Sequence, residues 1–180
     1  MEEQKRNQAN QLARECMVQA LIKLLNTKPL SEISVTEIAN KAGVSRMTYY
    51  RNYNSKEEIF TTYLHDIFDT FRQDTFTAEQ QGGFFQKYEN ILYCFRFFEK
   101  HKDFILSLYK SNMADLLLQV LTEYINETYY SEDKGIVYYY ELQALTGSLY
   151  TLYLTWLLRG CQESGEKMAM IINDIYKQVL

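Results

Sequence analysis

Between Ser34 and Lys56 the chain sets out side chains suited to gripping a polyanion. They are Arg46, Lys56, the hydroxyls of Ser34, Ser45, Thr48 and Tyr50, and the Asn52 amide. Phosphate oxygens accept hydrogen bonds from cations, hydroxyls, amides and the free N–H groups at helix starts. Ser34, Ser45 and Ser55 each stand where a helix would begin, so the segment also supplies those N–H groups. Arg46 can donate two parallel hydrogen bonds to a guanine edge, and Met47 and Thr48 can touch a thymine methyl. The chemistry is that of duplex DNA recognition. Ser34, Ser45, Tyr50, Asn52 and Lys56 would hold the backbone, and Arg46, Met47 and Thr48 would face the bases. The net charge of −4 argues the other way, but its distribution does not. From Ala39 to Lys56 there is no acid, and there are four bases: Lys41, Arg46, Arg51 and Lys56.

These residues need two short helices to present them. Ser34-Val-Thr-Glu37 and Ser55-Lys-Glu-Glu58 both have the capping-box pattern, in which serine and glutamate satisfy each other's backbone N–H groups. Gly43 supplies a left-handed stop, and Ser45 opens the next helix, expected from Arg46 to about Tyr53. Ala39 lets the two helices approach closely, and Ile38, Val44 and Tyr49 fill the small core beneath. This is helix-turn-helix architecture, whose second helix enters the major groove by its N-terminal end. The competing reading is a generic helical hairpin with a solvated polar face.

The run Val-Thr-Glu-Ile-Ala-Asn-Lys-Ala-Gly-Val-Ser-Arg-Met-Thr-Tyr-Tyr-Arg-Asn-Tyr-Asn-Ser-Lys-Glu-Glu-Ile-Phe resembles the DNA-binding head of TetR-type transcriptional regulators. The resemblance implies a three-helix head, a linking fourth helix and a divergent ligand-binding, dimerising body. By position Tyr50 and Lys56 resemble the family's phosphate contacts, Arg46, Met47 and Thr48 its base readers, and Ser34 its backbone-touching cap. Asn52 departs from the His or Tyr common there. The body, from Tyr93-Cys-Phe-Arg-Phe-Phe-Glu-Lys-His-Lys-Asp-Phe through Trp156-Leu-Leu-Arg-Gly, more loosely resembles a TetR subgroup that includes regulators of dihydroxyacetone metabolism. Some members of that subgroup answer to a protein partner.

The whole chain suits such a plan. Its 180 residues can bury a core without staples. One Pro and seven Gly are too few for the turns of a sandwich or barrel. The expected fold is all-α, about nine helices, with a head over residues 1–55 and an effector-binding and dimerisation body over 56–180. Gly82-Gly83 marks an expected joint, followed by an apolar stripe from Phe84 to Phe98. Asn112 is the expected cap of the helix carrying Leu116, Val120 and Tyr124. A long helix is expected from about Ile136 to Arg159, and Ser164 is expected to cap the last.

Residues 61–180 hold 13 of the 16 Tyr and 9 of the 10 Phe. Tyr93, Phe97, Tyr109, Tyr150, Tyr153 and Trp156 are the candidate lining of an effector pocket; the alternative is that they fill the core. Leu142–Leu158 and the last helix are the expected homodimer surface, with Gly147 and Ser148 allowing close approach. At 17 residues that uncharged stretch is short for a membrane span, which needs about 20. Cys16, Cys94 and Cys161 have neither metal nor redox spacing, and an odd count without an apolar leader suggests a reducing, cytoplasmic setting. No catalytic constellation, metal site or cofactor motif is evident. The expected function is a dimeric regulator, a repressor by family habit, binding a palindromic operator in double-stranded DNA and released by a small-molecule effector. Control by a protein co-regulator is the second reading, and a helical enzyme or carrier a remote third.

Overall fold

The computed structural model describes residues 2–80, 85 and 87–179, and side chains over 7–76, 85 and 87–176. The described residues form nine α-helices and no strand. They are α1 (Glu2–Leu25), α2 (Val35–Ala42), α3 (Arg46–Asn52), α4 (Lys56–Gln80), α5 (Tyr88–Glu99), α6 (Lys102–Lys110), α7 (Ala114–Tyr129), α8 (Gly135–Leu158) and α9 (Gly165–Val179). Short 3₁₀ turns cover Leu30–Glu32 and Glu132–Lys134. The joint expected at Gly82-Gly83, with Phe84, lies outside the described residues.

Apolar residues three and four apart on α1 (Met17, Val18, Ala20, Leu21) are buried against α2, α4 and α6. Pro29 follows the end of α1, as expected of a residue that restricts the position before it. The stripe Ile59, Phe60, Leu64, Ile67, Phe68 and Phe71 makes α4 the spine of the molecule, packed on α1 at one end and α7 at the other. Helix α5 packs along α9 through Ile91, Phe95, Met168, Ala169 and Ile172. Trp156 is sealed in by Phe95, and its Nε1 donates to the Glu163 carbonyl at 2.8 Å.

One expected cap is corrected. Asn112 does not cap α7; it closes α6. Its φ of 55° is left-handed, its N–H donates to the Tyr109 carbonyl, and the Met113 N–H donates to the Leu108 carbonyl. That is a Schellman closure, with Asn in the place Gly usually holds. Helix α4 runs to Gln80, and α8 starts at Gly135, one residue before the expected Ile136. Ser164 does cap α9, accepting from the Lys167 N–H.

Candidate nucleic-acid interface

The head is built on its caps. Ser34 Oγ accepts from the Glu37 N–H at 3.2 Å, and Glu37 Oε2 accepts from the Ser34 N–H at 2.9 Å, closing the box on α2. At the other end Gly43, φ 69°, turns the chain, and the Val44 N–H returns to the Ala39 carbonyl. Ser45 Oγ then accepts from the Thr48 N–H at 3.0 Å and starts α3. Ile38, Ala39 and Tyr49 are buried where α2 meets α3, and burial pushes the Tyr49 hydroxyl up to about 12.

With Tyr49 pointing in, the opposite face of α3 points out. Met47 is 80% exposed and Tyr50 54%. Arg46 is exposed, its guanidinium 5.9 Å from the Tyr50 ring centre. Arg51 is also exposed there, a cation absent from the sequence-based site. The hydroxyl of Thr48 pairs with Ser45 Oγ at 2.9 Å, and the Asn52 amide donates back to the Thr48 carbonyl at 2.8 Å. Asn52 thus serves its own helix. Ser34 Oγ is likewise engaged, donating to Glu37 Oε2 at 2.8 Å.

Lys56 has a role that its spacing does not announce. Its Nζ donates to the carbonyls of Leu30 and Ile33 at 2.6 and 2.8 Å. It therefore ties the start of α4 to the turn that delivers Ser34. A second tie comes from α1, where Arg14 Nη2 meets Asp66 Oδ2 of α4 at 2.6 Å. The Tyr53 hydroxyl, at the end of α3, also lies by that guanidinium.

Glu37 is held down to about 2, first by Lys28 and then by the Ser34 backbone and hydroxyl. A depressed carboxyl stabilises the fold above its ordinary range, and that contribution disappears as pH falls from 4.5 toward 2. Glu37→Gln should therefore be less stable than the parent at neutral pH and lose less on acidification. Circular dichroism across pH 7 to 2 reads this, and parallel curves would contradict it.

In the body, α4, α5, α7 and α8 enclose a cavity of about 70 Å³, walled by Phe68, Phe71, Phe98, Tyr124, Tyr150 and Tyr153 among others. Tyr150 and Tyr153 are the two sequence candidates that reach it. Tyr153 donates to the Phe98 carbonyl at 2.8 Å, and burial raises its hydroxyl well above the usual range. The other four lie elsewhere. Phe97 packs between Phe71 and His101, and Trp156 packs on Phe95. Tyr93 reaches the surface to donate to Asp74 at 2.7 Å, and Tyr109 is exposed. Helical spacing places all six on the body but does not say which face of each helix turns inward.

Residues 86–178 match the family model described as the C-terminal region of TetR-type transcriptional regulators, and residues 17–62 match that of the bacterial regulatory proteins of the tetR family. The chain belongs to the TetR family. TetR-type regulators are non-enzymatic DNA-binding proteins. Two solved TetR-type folds are similar to this one. The dihydroxyacetone kinase operon activator DhaS has 15% identity and a TM-score of 0.62, over 91% of this chain and 93% of its own. A TetR transcriptional regulator from Rhodococcus sp. RHA1 has 19% identity and a TM-score of 0.52, over 94% and 97%. No curated protein matches the chain. No helix among the described residues is long and apolar enough to cross a membrane.

Proposed function

We propose that this TetR-family chain is a dimeric repressor that grips a palindromic operator through residues 1–55 and is released through residues 56–180. The observation that carries the reading is the exposed face of α3. Arg46, Met47, Tyr50 and Arg51 stand outward on a capped helix that contains no acid, above a closed core. Arg46 and Met47 meet base edges, with Thr48 beside them. Tyr50 and Lys56 meet phosphates. Tyr50→Phe should weaken every operator variant alike, whereas Arg46→Ala should cost about 1–3 kcal/mol at one base pair and relax specificity there. Gel shift on a set of point-substituted operators reads both. Equal retention by both variants would contradict the assignment.

Pairing of two heads follows from α8. Val137, Tyr140, Ala144, Gly147, Thr151, Leu154 and Leu158 recur at alternating three- and four-residue spacing on one uncharged stripe. Val137, Tyr140 and Leu158 are exposed, and a Cβ at Gly147 would meet nothing within 4 Å. A seam of this period is what a second helix packs into. The dimer sets the distance between the heads, and a tilt of α4 would spoil their fit to successive major grooves.

The aromatic cavity suits a small, uncharged, apolar effector. Its size favours a second reading as well: about 70 Å³ is far below the roughly 300–1,000 Å³ of ordinary ligand pockets. A nearly filled body leaves little room for a free metabolite and is suited to control by a protein co-regulator. The activator named among the structural neighbours shows that this fold also serves positive regulation.

A further inference from the structure

Four arginines of this protein are held by carboxylates. Arg14 meets Asp66, Arg72 meets Glu127, Arg96 meets Glu166 and Arg159 meets Glu163. Arg46 is held differently. Helix α3 carries no acid, and among the described residues no carboxylate pairs with Arg46. Beside its guanidinium lies the Tyr50 ring instead, with 5.9 Å from Cζ to the ring centre. Residues four apart stand over one another on a helix, so the order Arg46-Met-Thr-Tyr-Tyr50 brings the two together. The Tyr50 ring is itself backed. Tyr49 is buried beneath α3, and its ring meets that of Tyr50 edge to face, 5.3 Å between centres and 89° between planes. Tyr49 packs in turn on the buried Tyr53, at 5.9 Å. A row of rings thus leads outward from the fixed core of the head: Tyr53, Tyr49, Tyr50, and then the guanidinium of Arg46.

A tyrosine has two separable ends. Its hydroxyl can donate to a phosphate oxygen, while its ring attracts a cation. An arginine that reads guanine must present its planar fork edge-on to O6 and N7. Each rotamer frozen on docking weakens that contact. An unsupported arginine can also swing to a phosphate, which holds every sequence alike. A carboxylate partner would steady the side chain but occupy the fork that the base needs. A ring steadies it and leaves the fork free.

We infer that the Tyr50 ring is a positioning group for Arg46: base discrimination at the front of α3 depends on the ring, and overall affinity on the hydroxyl. This role rests on the reading of α3 as the base-reading helix. It adds a second function to a residue so far placed only at a phosphate.

Three substitutions separate the two ends. Tyr50→Phe keeps the ring, Tyr50→Leu removes it, and Arg46→Ala removes what the ring holds. Both positions are exposed, and circular dichroism checks that each variant folds. The DNA is the duplex that the parent protein selects from a random pool. The readout is the ratio of gel-shift affinities for that duplex and for copies with one base pair of one half-site replaced. Arg46→Ala locates the pair that Arg46 reads. At that pair Tyr50→Leu should lower the ratio by about two- to fivefold, the worth of an exposed cation–ring contact. Tyr50→Phe should keep the parental ratio while binding every duplex more weakly. In the Arg46→Ala background Tyr50→Leu and Tyr50→Phe should give equal ratios, because a coupling disappears with either partner. Without DNA, NMR of the full chain labelled with ¹³C-arginine should show the Arg46 Cδ protons shifted upfield by the ring in the parent and in Tyr50→Phe, and not in Tyr50→Leu. A parental ratio in Tyr50→Leu, an equal loss in Tyr50→Phe, a loss that persists without Arg46, or identical arginine spectra would overturn the positioning role alone. If the pool yields no duplex, or Arg46→Ala changes no ratio, the base-reading of α3 has itself failed, and this role with it.

Discussion

Gly147→Arg should yield a protein that folds normally, runs as a monomer and loses most of its operator affinity. The position is helical, and a Cβ there meets nothing of its own chain within 4 Å. Arginine is also a better helix former than glycine, so the isolated protomer gains rather than loses helix stability. Across the proposed seam, however, the new guanidinium would face its own copy in an apolar interface, unpaired and desolvated. Two linked heads bind far more tightly than one, and dissociating them should lower affinity for a two-half-site operator by about 10²–10⁴-fold. Sedimentation velocity, circular dichroism and gel shift on one preparation check the three parts. A Gly147→Arg dimer would remove α8 as the pairing surface. A monomer with unchanged affinity would remove the need for pairing.

The second large effect is expected from Lys56→Met. A cation at the first turn of a helix opposes the positive end of the helix dipole. Lys56 is found there because its ammonium satisfies two backbone carbonyls, Leu30 and Ile33, from a part-buried position. Methionine keeps most of the packing and removes both hydrogen bonds. The Leu30 carbonyl would keep the Ile33 N–H, but the Ile33 carbonyl would lose its donor, which should cost about 1–3 kcal/mol. For a chain of this size that lowers Tm by roughly 3–9 °C. Operator binding should also fall, since the same turn aims Ser34 and α2. Tyr50→Phe provides the contrast: weaker binding with Tm unchanged. If Lys56→Met unfolds at the parent temperature, the tie carries no stability.

The local parts of this molecule can be read from the residue string because their causes are local. Both capping-box serines, the left-handed Gly43 and the stripes on α4 and α9 depend on neighbours within four residues. Asn112 misleads because asparagine suits both ends of a helix: as an N-cap acceptor and as a left-handed closer. The open carbonyls of Tyr109 and Leu108, which take the Asn112 and Met113 N–H groups, decide for the second. The ties of Lys56 to Leu30, 26 residues away, and of Arg14 to Asp66, 52 away, have no signature in spacing. They exist only once α1 and α4 are packed. The same holds for the cavity. Tyr93 and Phe97 lie one turn apart on α5, yet one faces solvent and the other the core.

Selection of duplexes from a random oligonucleotide pool by the purified protein tests most directly whether α3 is a paired DNA grip. The expected result is a palindrome whose half-site centres lie about one helical turn, 34–36 Å, apart, with enrichment lost in Arg46→Ala. A pool that shows no enrichment, or a single unrepeated motif indifferent to Arg46, would contradict it.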